Sequence, residues 1–316
     1  MHFDVFNGDA DGLCALHQLR LADPVESTLV TGVKRDIALV QRVPLDASSA
    51  TVLDVSFEKN VDAVRALLEA GVPVRYFDHH FPGDIPAHPA LDCHIDTRPT
   101  VCTGLIVNAV LGGAHLPWAV TAAFGDNLIE AARTAAAPLG LDETALTALC
   151  ELGTLLNYNG YGAGLDDLLF DPAILYRDLS AHREPGTFIA EDPAFQSLRE
   201  GHASDVDKAQ ALTPRIEDDT VSVTVLPNAR WARRISGVHA NQLANAHPER
   251  AHALLTEKDG GYLVSVRAPL TRRTGADAVC RQFDTGGGRA AAAGINTLPE
   301  ADVDRFVATL RDTYAR

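Results

Sequence analysis

The N-terminal part of the chain alternates short apolar segments with helical patterns, and this alternation limits the fold most. Strands are predicted for the apolar segments 2–6, 50–55 and 72–77. Helices are predicted at 12–21, 58–70 and 103–111, between or after these strands. Parallel strands need long crossovers, which are usually helices, so this alternation is typical of a parallel α/β sheet. The sequence therefore predicts an α/β fold with an N-terminal parallel-sheet domain.

The remainder of the chain predicts a second, smaller α/β domain. Ala- and Leu-rich helical patterns lie between about 117 and 203, and the polar, charged stretch at 194–220 is the predicted linker. In the second domain, 221–316, strands are predicted at 221–226, 251–256 and 261–267, and helices at 236–247, 275–282 and 299–314. A glycine-rich loop is predicted near 284–294, before the last helix. The domains are thus 1–193 and 221–316.

The charge is uneven along the chain. The net charge is −15, yet residues 221–316 carry about +4, which leaves about −19 on the remainder. Carboxylates suit divalent cations and a mildly basic domain suits phosphate, whereas tight binding to long duplex DNA needs a broad basic face. Taken alone, the acidity is better explained by a contribution to solubility.

The sequence shows no recognisable secretory or membrane segment and no cysteine spacing typical of disulfides or zinc sites. No secretory leader is recognisable, and no segment approaches the roughly 20 apolar residues of a membrane helix, so we expect a cytoplasmic protein. The number of cysteines, 5, is odd and none are spaced as CxxC. A disulfide framework or a structural zinc site is therefore not predicted.

Carboxylates and histidines follow the predicted strands of the first domain. They are Asp9 and Asp11, then Asp54, then Asp78, His79 and His80. The carboxyl ends of parallel strands meet at one edge of a sheet, where ligands bind, so these side chains should converge. A single aspartate of this kind is usually a turn or helix cap, but the combined set predicts a site.

Asp126, between helical segments, is a further candidate ligand. Carboxylate oxygens together with imidazole nitrogen favour manganese, magnesium, iron or zinc. A carboxylate between two such cations can bridge them, and paired metals can generate hydroxide for attack on phosphorus. No GxGxxG follows the first strand, so no nicotinamide or flavin cofactor is indicated.

The glycine-rich segment is the second candidate site. Gly286, Gly287 and Gly288 allow backbone N–H groups to approach an anion, and Arg289 can hold a phosphate through two hydrogen bonds. Arg267, at the end of a predicted strand, could reach the same anion. The alternative is a flexible surface loop.

Two further segments have alternative interpretations. The arginines around Trp231 could combine base stacking with phosphate contact, or form a solvated face. Residues 157–162 could form a base-binding wall, or an ordinary turn.

These motifs, in this order, resemble the DHH phosphoesterases that carry a DHH-associated C-terminal domain. The resemblance covers nearly the whole chain through NGDADG (7–12), VLD (52–54), DHH (78–80), GDN (125–127) and GGGR (286–289). In length and domain content the chain is most similar to the nanoRNases with pAp-phosphatase activity. The resemblance implies an active-site cleft between the two domains and two divalent metals, commonly manganese.

The resemblance also implies roles for single residues. Asp9 and Asp54 would hold one metal, and Asp11, Asp54, His79 and Asp126 the other. Asp54, His79 and His80 would be catalytic, with His80 contacting the scissile phosphate or aiding the leaving group. Asp78 would orient a neighbouring imidazole, while Gly286, Gly287, Gly288, Arg289 and Arg267 would bind substrate phosphate.

The chain departs from the family at three positions. Val5 stands where the family has a histidine four residues before the first aspartate, so the first metal site is weakened. Asn7 replaces a carboxylate found in some exonucleases of the class, and its amide oxygen can ligate a cation weakly. Arg289 replaces a histidine of many relatives.

The predicted function is metal-dependent hydrolysis of short nucleotide substrates, namely oligonucleotides, linear dinucleotides or pAp, by attack of a metal-bound hydroxide. One alternative is a single-strand-specific exonuclease, and another, suggested by Val5, is a catalytically weak nucleotide-binding or regulatory protein. Expected partners are short single-stranded nucleotides, with no stable duplex DNA partner and no membrane, and a homodimer is left open.

Overall fold

A computed structural model of the chain describes residues 1–315. The chain divides into two compact units, residues 1–201 and the residues from His202 onward. Each has its own sheet, so the predicted fold class, α/β with a parallel-sheet domain followed by a second, smaller domain, is confirmed. Among the described helices, none is long and apolar enough to cross a membrane.

The sheet of the first unit is parallel throughout. Its strands are β1 (His2–Phe6), β2 (Ser27–Val30), β3 (Ser49–Leu53), β4 (Val74–Asp78) and β5 (Leu91–Ile95). They lie in the order β2-β1-β3-β4-β5. Strand order reverses between β1 and β3, which is the position where open α/β sheets bind ligands at the carboxyl ends of their strands.

Helices cover both faces of this sheet, and the central strands are apolar on both faces for that reason. The helices of this part of the chain, of which the last continues into the second unit, are α1 (Ala10–Ala22), α2 (Phe57–Glu69), α3 (Thr103–Val110), α4 (Leu116–Gly125), α5 (Ile129–Ala136), α6 (Glu143–Asn159), α7 (Pro172–Ser180), α8 (Pro185–Glu191) and α9 (Pro193–Gln210). Alternate strand residues face opposite sides. Thus Phe6 and Phe77 join one buried apolar cluster with Trp118, while Val5 and Tyr76 join the other.

The second unit is built on a six-stranded mixed sheet. Its strands are β6 (Ile216–Glu217), β7 (Val221–Leu226), β8 (Ala251–Lys258), β9 (Gly261–Arg267), β10 (Gly286–Gly288) and β11 (Ala292–Leu298). Its helices are α10 (Arg230–Ala246), α11 (Ala276–Cys280) and α12 (Val303–Tyr314). The order is β10-β11-β9-β8-β7-β6, and only β7 and β8 pair in parallel, with α10 as their crossover.

The structure contains elements that the sequence patterns did not indicate. The strands β2, β5, β6, β10 and β11 were not predicted, and β10 and β11 occupy the segment expected to be a glycine-rich loop. The predicted linker, 194–220, includes most of α9 and all of β6. The division between the compact units falls within α9, and the predicted bounds of the functional domains stay a prediction.

Candidate active site

The loop after β1 positions two carboxylates at the start of α1. Asp9 is the N-cap of this helix, and its Oδ1 accepts hydrogen bonds from the backbone N–H groups of Asp11 (3.1 Å) and Gly12 (3.2 Å). Aspartate is a preferred N-cap because it satisfies helical N–H groups that have no partner within the helix. Both carboxylates are buried.

A second pair of backbone N–H groups holds the side chain of Asp11. Its Oδ2 accepts from the N–H of Thr103 and its Oδ1 from the N–H of Gly104, each at 2.7 Å. These donors belong to the first turn of α3, where the helix dipole also favours a negative charge. The Asp11 carboxylate therefore has a defined orientation although it lies 92 residues before Thr103.

Asp54 follows β3 with a left-handed backbone. Its φ is +57°, a conformation that is costly for most residues and that aspartate tolerates better than most, at roughly 1 kcal/mol or more. Its side chain is buried, and Oδ1 accepts a hydrogen bond from the hydroxyl of Thr103 at 3.2 Å. Strain of this kind is common at functional sites, and here it occurs at the switch point of the sheet.

Asp78 at the end of β4 is fully occupied by hydrogen bonds from the protein. It accepts the backbone N–H groups of Phe57 (3.1 Å), His79 (2.8 Å) and His80 (3.2 Å), and lies 2.7 Å from Nδ1 of His80. Burial alone would lower the pKa of His80, but the hydrogen bond and charge of Asp78 outweigh it and raise that pKa. Asp78 thus shapes the loop and orients His80.

His79 lies between two carboxylates. Its Nδ1 is 3.0 Å from the carbonyl oxygen of Val101, which makes Nδ1 the donor and Nε2 the nitrogen with an available lone pair. Nε2 is 3.4 Å from Oδ1 of Asp54 and 3.5 Å from Oδ2 of Asp126. The ring is therefore set to share a cation with these carboxylates.

Two overlapping groups of side chains have ligand atoms close enough to hold one ion. Asp11, His79 and Asp126 form one group and Asp54, His79 and His80 the other, with the ligand atoms of each within 4.8 Å of one another. His79 belongs to both. Asp126 is the residue after α4, so it comes from a helix end and does not follow a strand as the other ligands of the sheet do.

The electrostatics of this cluster favour a bound cation. Burial, followed by repulsion from Asp11 and Asp9, raises the pKa of Asp54 well above its ordinary value. Burial and the charge of Asp126 likewise raise the pKa of Asp11. A divalent ion among the carboxylates would relieve this repulsion, and carboxylate oxygens with one imidazole suit manganese, magnesium, iron or zinc. The residues present therefore fit a divalent metal.

Lys34, which the sequence patterns did not indicate, also lies in the site. Its ammonium pairs with Oδ2 of Asp9, donates to Oδ1 of Asn157 at 2.9 Å and is 3.5 Å from Oδ1 of Asp126. Burial alone would lower the pKa of this ammonium, but the charge of Asp9 and its neighbours outweighs burial and raises it well above the ordinary value. Lys34 is thus a fixed positive charge.

Asn7 and the 157–162 segment surround this lysine. Nδ2 of Asn7 donates to the Lys34 carbonyl at 3.3 Å, while its Oδ1 is buried and has no hydrogen-bond partner within residues 1–315. Tyr161 places its ring 5.7 Å from the Lys34 Nζ. Asn159 instead exchanges two hydrogen bonds with the backbone of Phe170, which is a structural role.

The glycine-rich segment of the second unit is an edge strand rather than an open loop. β10 pairs antiparallel with β11, and only Gly288 of the three glycines has a positive φ, +136°. Arg289 and Ala292 exchange two backbone hydrogen bonds across the tight turn that follows. Arg289 itself is exposed.

Arg267 ends β9 close to this turn. The register pairs Arg267 with Ala292, and the next residue of β11, Ala293, with Gly288. One end of the sheet therefore carries Arg267, at the end of β9, and Arg289, in the turn between β10 and β11. Nε of Arg267 donates to Oδ1 of Asn241 at 2.7 Å, which fixes the guanidinium against α10.

The basic residues around Trp231 take part in packing between α9 and α10. Arg234 pairs with Asp205 at 2.8 Å, and Lys208 lies 5.8 Å from the centre of the Trp231 ring. Arg233 donates to Asn228 at 2.6 Å. These contacts within the second unit account for the segment without a nucleic-acid ligand.

No family model matches the sequence, and no curated protein matches it. Solved structures do match over the whole chain. RecJ from Thermus thermophilus, in complex with Mn²⁺, gives a TM-score of 0.59 at 19% identity, over 100% of this chain and 52% of that chain. The pGpG-specific phosphodiesterase PggH from Vibrio cholerae gives 0.58 at 14% identity, over 100% and 99%. The chain has the fold of the DHH phosphoesterases.

A second RecJ structure supports the same DHH fold. The exonuclease RecJ bound to manganese gives a TM-score of 0.54 at 19% identity, over 100% of this chain and 90% of that chain. The chain spans about half the length of the Thermus RecJ chain. Likeness at these identities establishes the fold, and the chemistry follows from the side chains of this chain.

Within the DHH fold, the structure brings together most of the predicted ligands of the first unit. Asp11 and Asp126 lie close to His79, and Asp54 lies close to the same imidazole together with His80. Asp9 belongs to neither candidate group among the described residues, and its two oxygens contact Lys34 and the N–H groups at the start of α1 instead. The missed residue, Lys34, follows β2, and recognising β2 as the neighbour of β1 was the signal that would have placed it near Asp9.

Proposed function

We propose that this protein is a metal-dependent phosphoesterase that hydrolyses short nucleotide substrates. The observation that carries the proposal is the convergence of Asp11, Asp54, His79 and Asp126 at the switch point of the parallel sheet. Three buried or half-buried carboxylates and one oriented imidazole form a donor set that suits a divalent ion. Manganese is the ion we propose.

The side chains divide into those that hold the ion and those that face the substrate. A bound ion would act as a Lewis acid and lower the pKa of water. Asp11 is oriented by the α3 backbone and His79 by Val101, so the ligands are positioned before the ion arrives. Such hydrogen bonds behind the ligands raise metal affinity in other proteins.

His80 is the group we propose to contact the reacting phosphate. Its Nδ1 is engaged by Asp78, and the side chain is 43% exposed, so Nε2 can reach a substrate. Its raised pKa increases the protonated fraction at neutral pH. A protonated imidazole can donate its proton to the leaving oxygen, which is the ordinary role of a general acid.

Arg267 and Arg289 are the proposed binding groups for a nucleotide phosphate in the second unit. Arg267 ends β9 and Arg289 lies in the turn between β10 and β11 at the same end of the sheet, and Asn241 holds Arg267 in place. Guanidinium groups bind phosphate through paired, charged hydrogen bonds. The proposed substrates are pAp, linear dinucleotides and short single-stranded oligonucleotides, and duplexes should be poor substrates.

Turnover of a substrate panel tests this function. The wild-type protein, Asp54→Asn and the exposed control Asp62→Asn would be assayed with pAp, pGpG, a five-nucleotide RNA and single-stranded DNA, each with Mn²⁺ or EDTA. We expect Mn²⁺-dependent hydrolysis that falls on the order of 10³-fold or more in Asp54→Asn only, because metal polarisation contributes several kcal/mol. No turnover of any substrate would favour a nucleotide-binding or regulatory protein.

A further inference from the structure

Lys34 is placed in the site by its backbone as well as by its side chain. Its N–H donates to the carbonyl of Gly160 at 2.7 Å, and its own carbonyl accepts from Asn7 at 3.3 Å. Gly160 in turn lies against Asp9, since a Cβ at Gly160 would be 2.9 Å from the Asp9 Cβ. The loop after β2, the loop after β1 and the end of α6 therefore form one packed unit.

The ammonium of Lys34 occupies the Asp9 side of the carboxylate cluster. It contacts Oδ2 of Asp9 and Oδ1 of Asn157, and Oδ1 of Asp126 is 3.5 Å away. The other oxygen of Asp126 is directed to His79, at 3.5 Å. Asp126 thus lies between the lysine on one side and the candidate metal ligands on the other.

The Asp9 side offers little to a metal ion. Oδ1 of Asp9 caps α1, and Oδ2 already pairs with a cation. Val5 of β1 is fully buried in an apolar cluster and offers no ligand. A divalent ion at this position would also lie beside a positive charge held at fixed geometry, and like charges at short range repel strongly in a buried site.

We propose that the ammonium of Lys34 serves as a built-in cation in place of a second metal ion, so that the site binds one divalent ion, through Asp11, Asp54, His79 and Asp126. This inference rests on the proposed metal centre. It assigns Asp9 to binding Lys34 rather than a metal. In this arrangement Lys34 supplies the positive charge that a second ion would otherwise present to the substrate phosphate. A chelator cannot remove this charge, because it belongs to a side chain.

Counting bound manganese tests the proposal without any measurement of activity. The full-length wild-type protein, Lys34→Ala, Lys34→Gln and the control Lys59→Ala, whose lysine lies exposed on α2, would be dialysed against MnCl₂ and analysed for metal content. We expect about one Mn²⁺ in the wild type and the control and about two in Lys34→Ala and Lys34→Gln, since removal of the ammonium opens a paired-metal position.

Electron paramagnetic resonance of the same samples distinguishes the arrangements. An isolated Mn²⁺ gives a six-line spectrum, whereas two ions about 3.5–4 Å apart are exchange-coupled. Two coupled ions in the wild type would overturn the proposal, as would a folded Lys34 variant that still binds one. If neither variant folds, the wild-type stoichiometry still tests the proposal, because two bound ions would refute it. One bound ion without hydrolysis of any nucleotide would refute the proposed activity and leave the role of Lys34 standing.

Discussion

The position where α4 approaches α1 and α6 lies directly beside the site. Gly125 ends α4 and precedes Asp126. A Cβ added at Gly125 would lie 2.3 Å from the Cβ of Ala10 in α1 and 2.9 Å from the carbonyl oxygen of Gly153 in α6. Both obstacles belong to helices, and neither is a flexible side chain that could turn away. Gly125→Ala should therefore force α4 outward.

The magnitude follows from the contact distances. Carbon atoms pack at about 3.5–4.0 Å, so α4 and α1 must separate by roughly 1 Å or more. Overpacking of this kind costs about 1–3 kcal/mol, and the higher helix propensity of alanine returns up to about 1 kcal/mol. Because the contacts at 2.3 and 2.9 Å are with atoms that cannot turn away, the upper part of that cost applies, about 2–3 kcal/mol. We therefore expect a net loss of about 1–2 kcal/mol, which lowers the Tm of a unit of this size by roughly 2–8 °C.

Urea and thermal unfolding of the wild type, Gly125→Ala and the control Gly186→Ala would measure this loss of stability. Gly186 lies in α8, and a Cβ there meets no heavy atom within 4 Å, so the control should be neutral or slightly stabilised. Because Asp126 moves with α4, Gly125→Ala should also bind Mn²⁺ more weakly. Equal stability of Gly125→Ala and Gly186→Ala would refute the packing argument.

Three further predictions concern pH, metal affinity and substrate binding. Burial lowers the pKa of His17 to about 4, so the unfolding free energy is at its full value above pH 6.5 and falls by about 3 kcal/mol as the pH drops to about 4. Urea unfolding of His17→Gln across this range should lack that part of the loss, and an unchanged pH profile would contradict it. Thr103→Val removes the hydroxyl that donates to Asp54, and calorimetry should show Mn²⁺ binding about 10-fold weaker, whereas unchanged affinity would mean that this hydrogen bond does not orient the ligand. Arg267→Lys should raise KM about 10-fold with little change in kcat, while the exposed Arg272→Lys should leave both unchanged; equal kinetics of the two variants would exclude Arg267 from substrate binding.

The sequence by itself determined the fold class and the central elements of both units. β1 spans 2–6 and β9 spans 261–267, both as predicted, because each is an apolar run with high β-propensity between polar residues. The edge strands were missed for the opposite reason. β2 and β5 are half-buried and contain polar residues, so their hydrophobic pattern is weak.

The glycine-rich segment shows how pairing can override composition. Alanine, glycine and asparagine dominate β11, and none of them favours strands. Pairing with β9 on one side and β10 on the other nevertheless makes this segment a strand. The loop predicted from its glycines is therefore part of the sheet, while the proximity of Arg267 to Arg289 follows from strand register.

The candidate site likewise has a part that could be predicted from the sequence and a part that could not. Carboxylates and histidines directly after β1, β3 and β4 could be placed together from the sequence, because the carboxyl ends of parallel strands must meet. Only the tertiary structure determined which charged side chains pair with one another. Lys34 follows an unpredicted strand and Asn157 lies on a distant helix, yet packing brings both onto Asp9. A pairing between side chains this far apart in sequence leaves no local pattern, since it is set by how the elements pack.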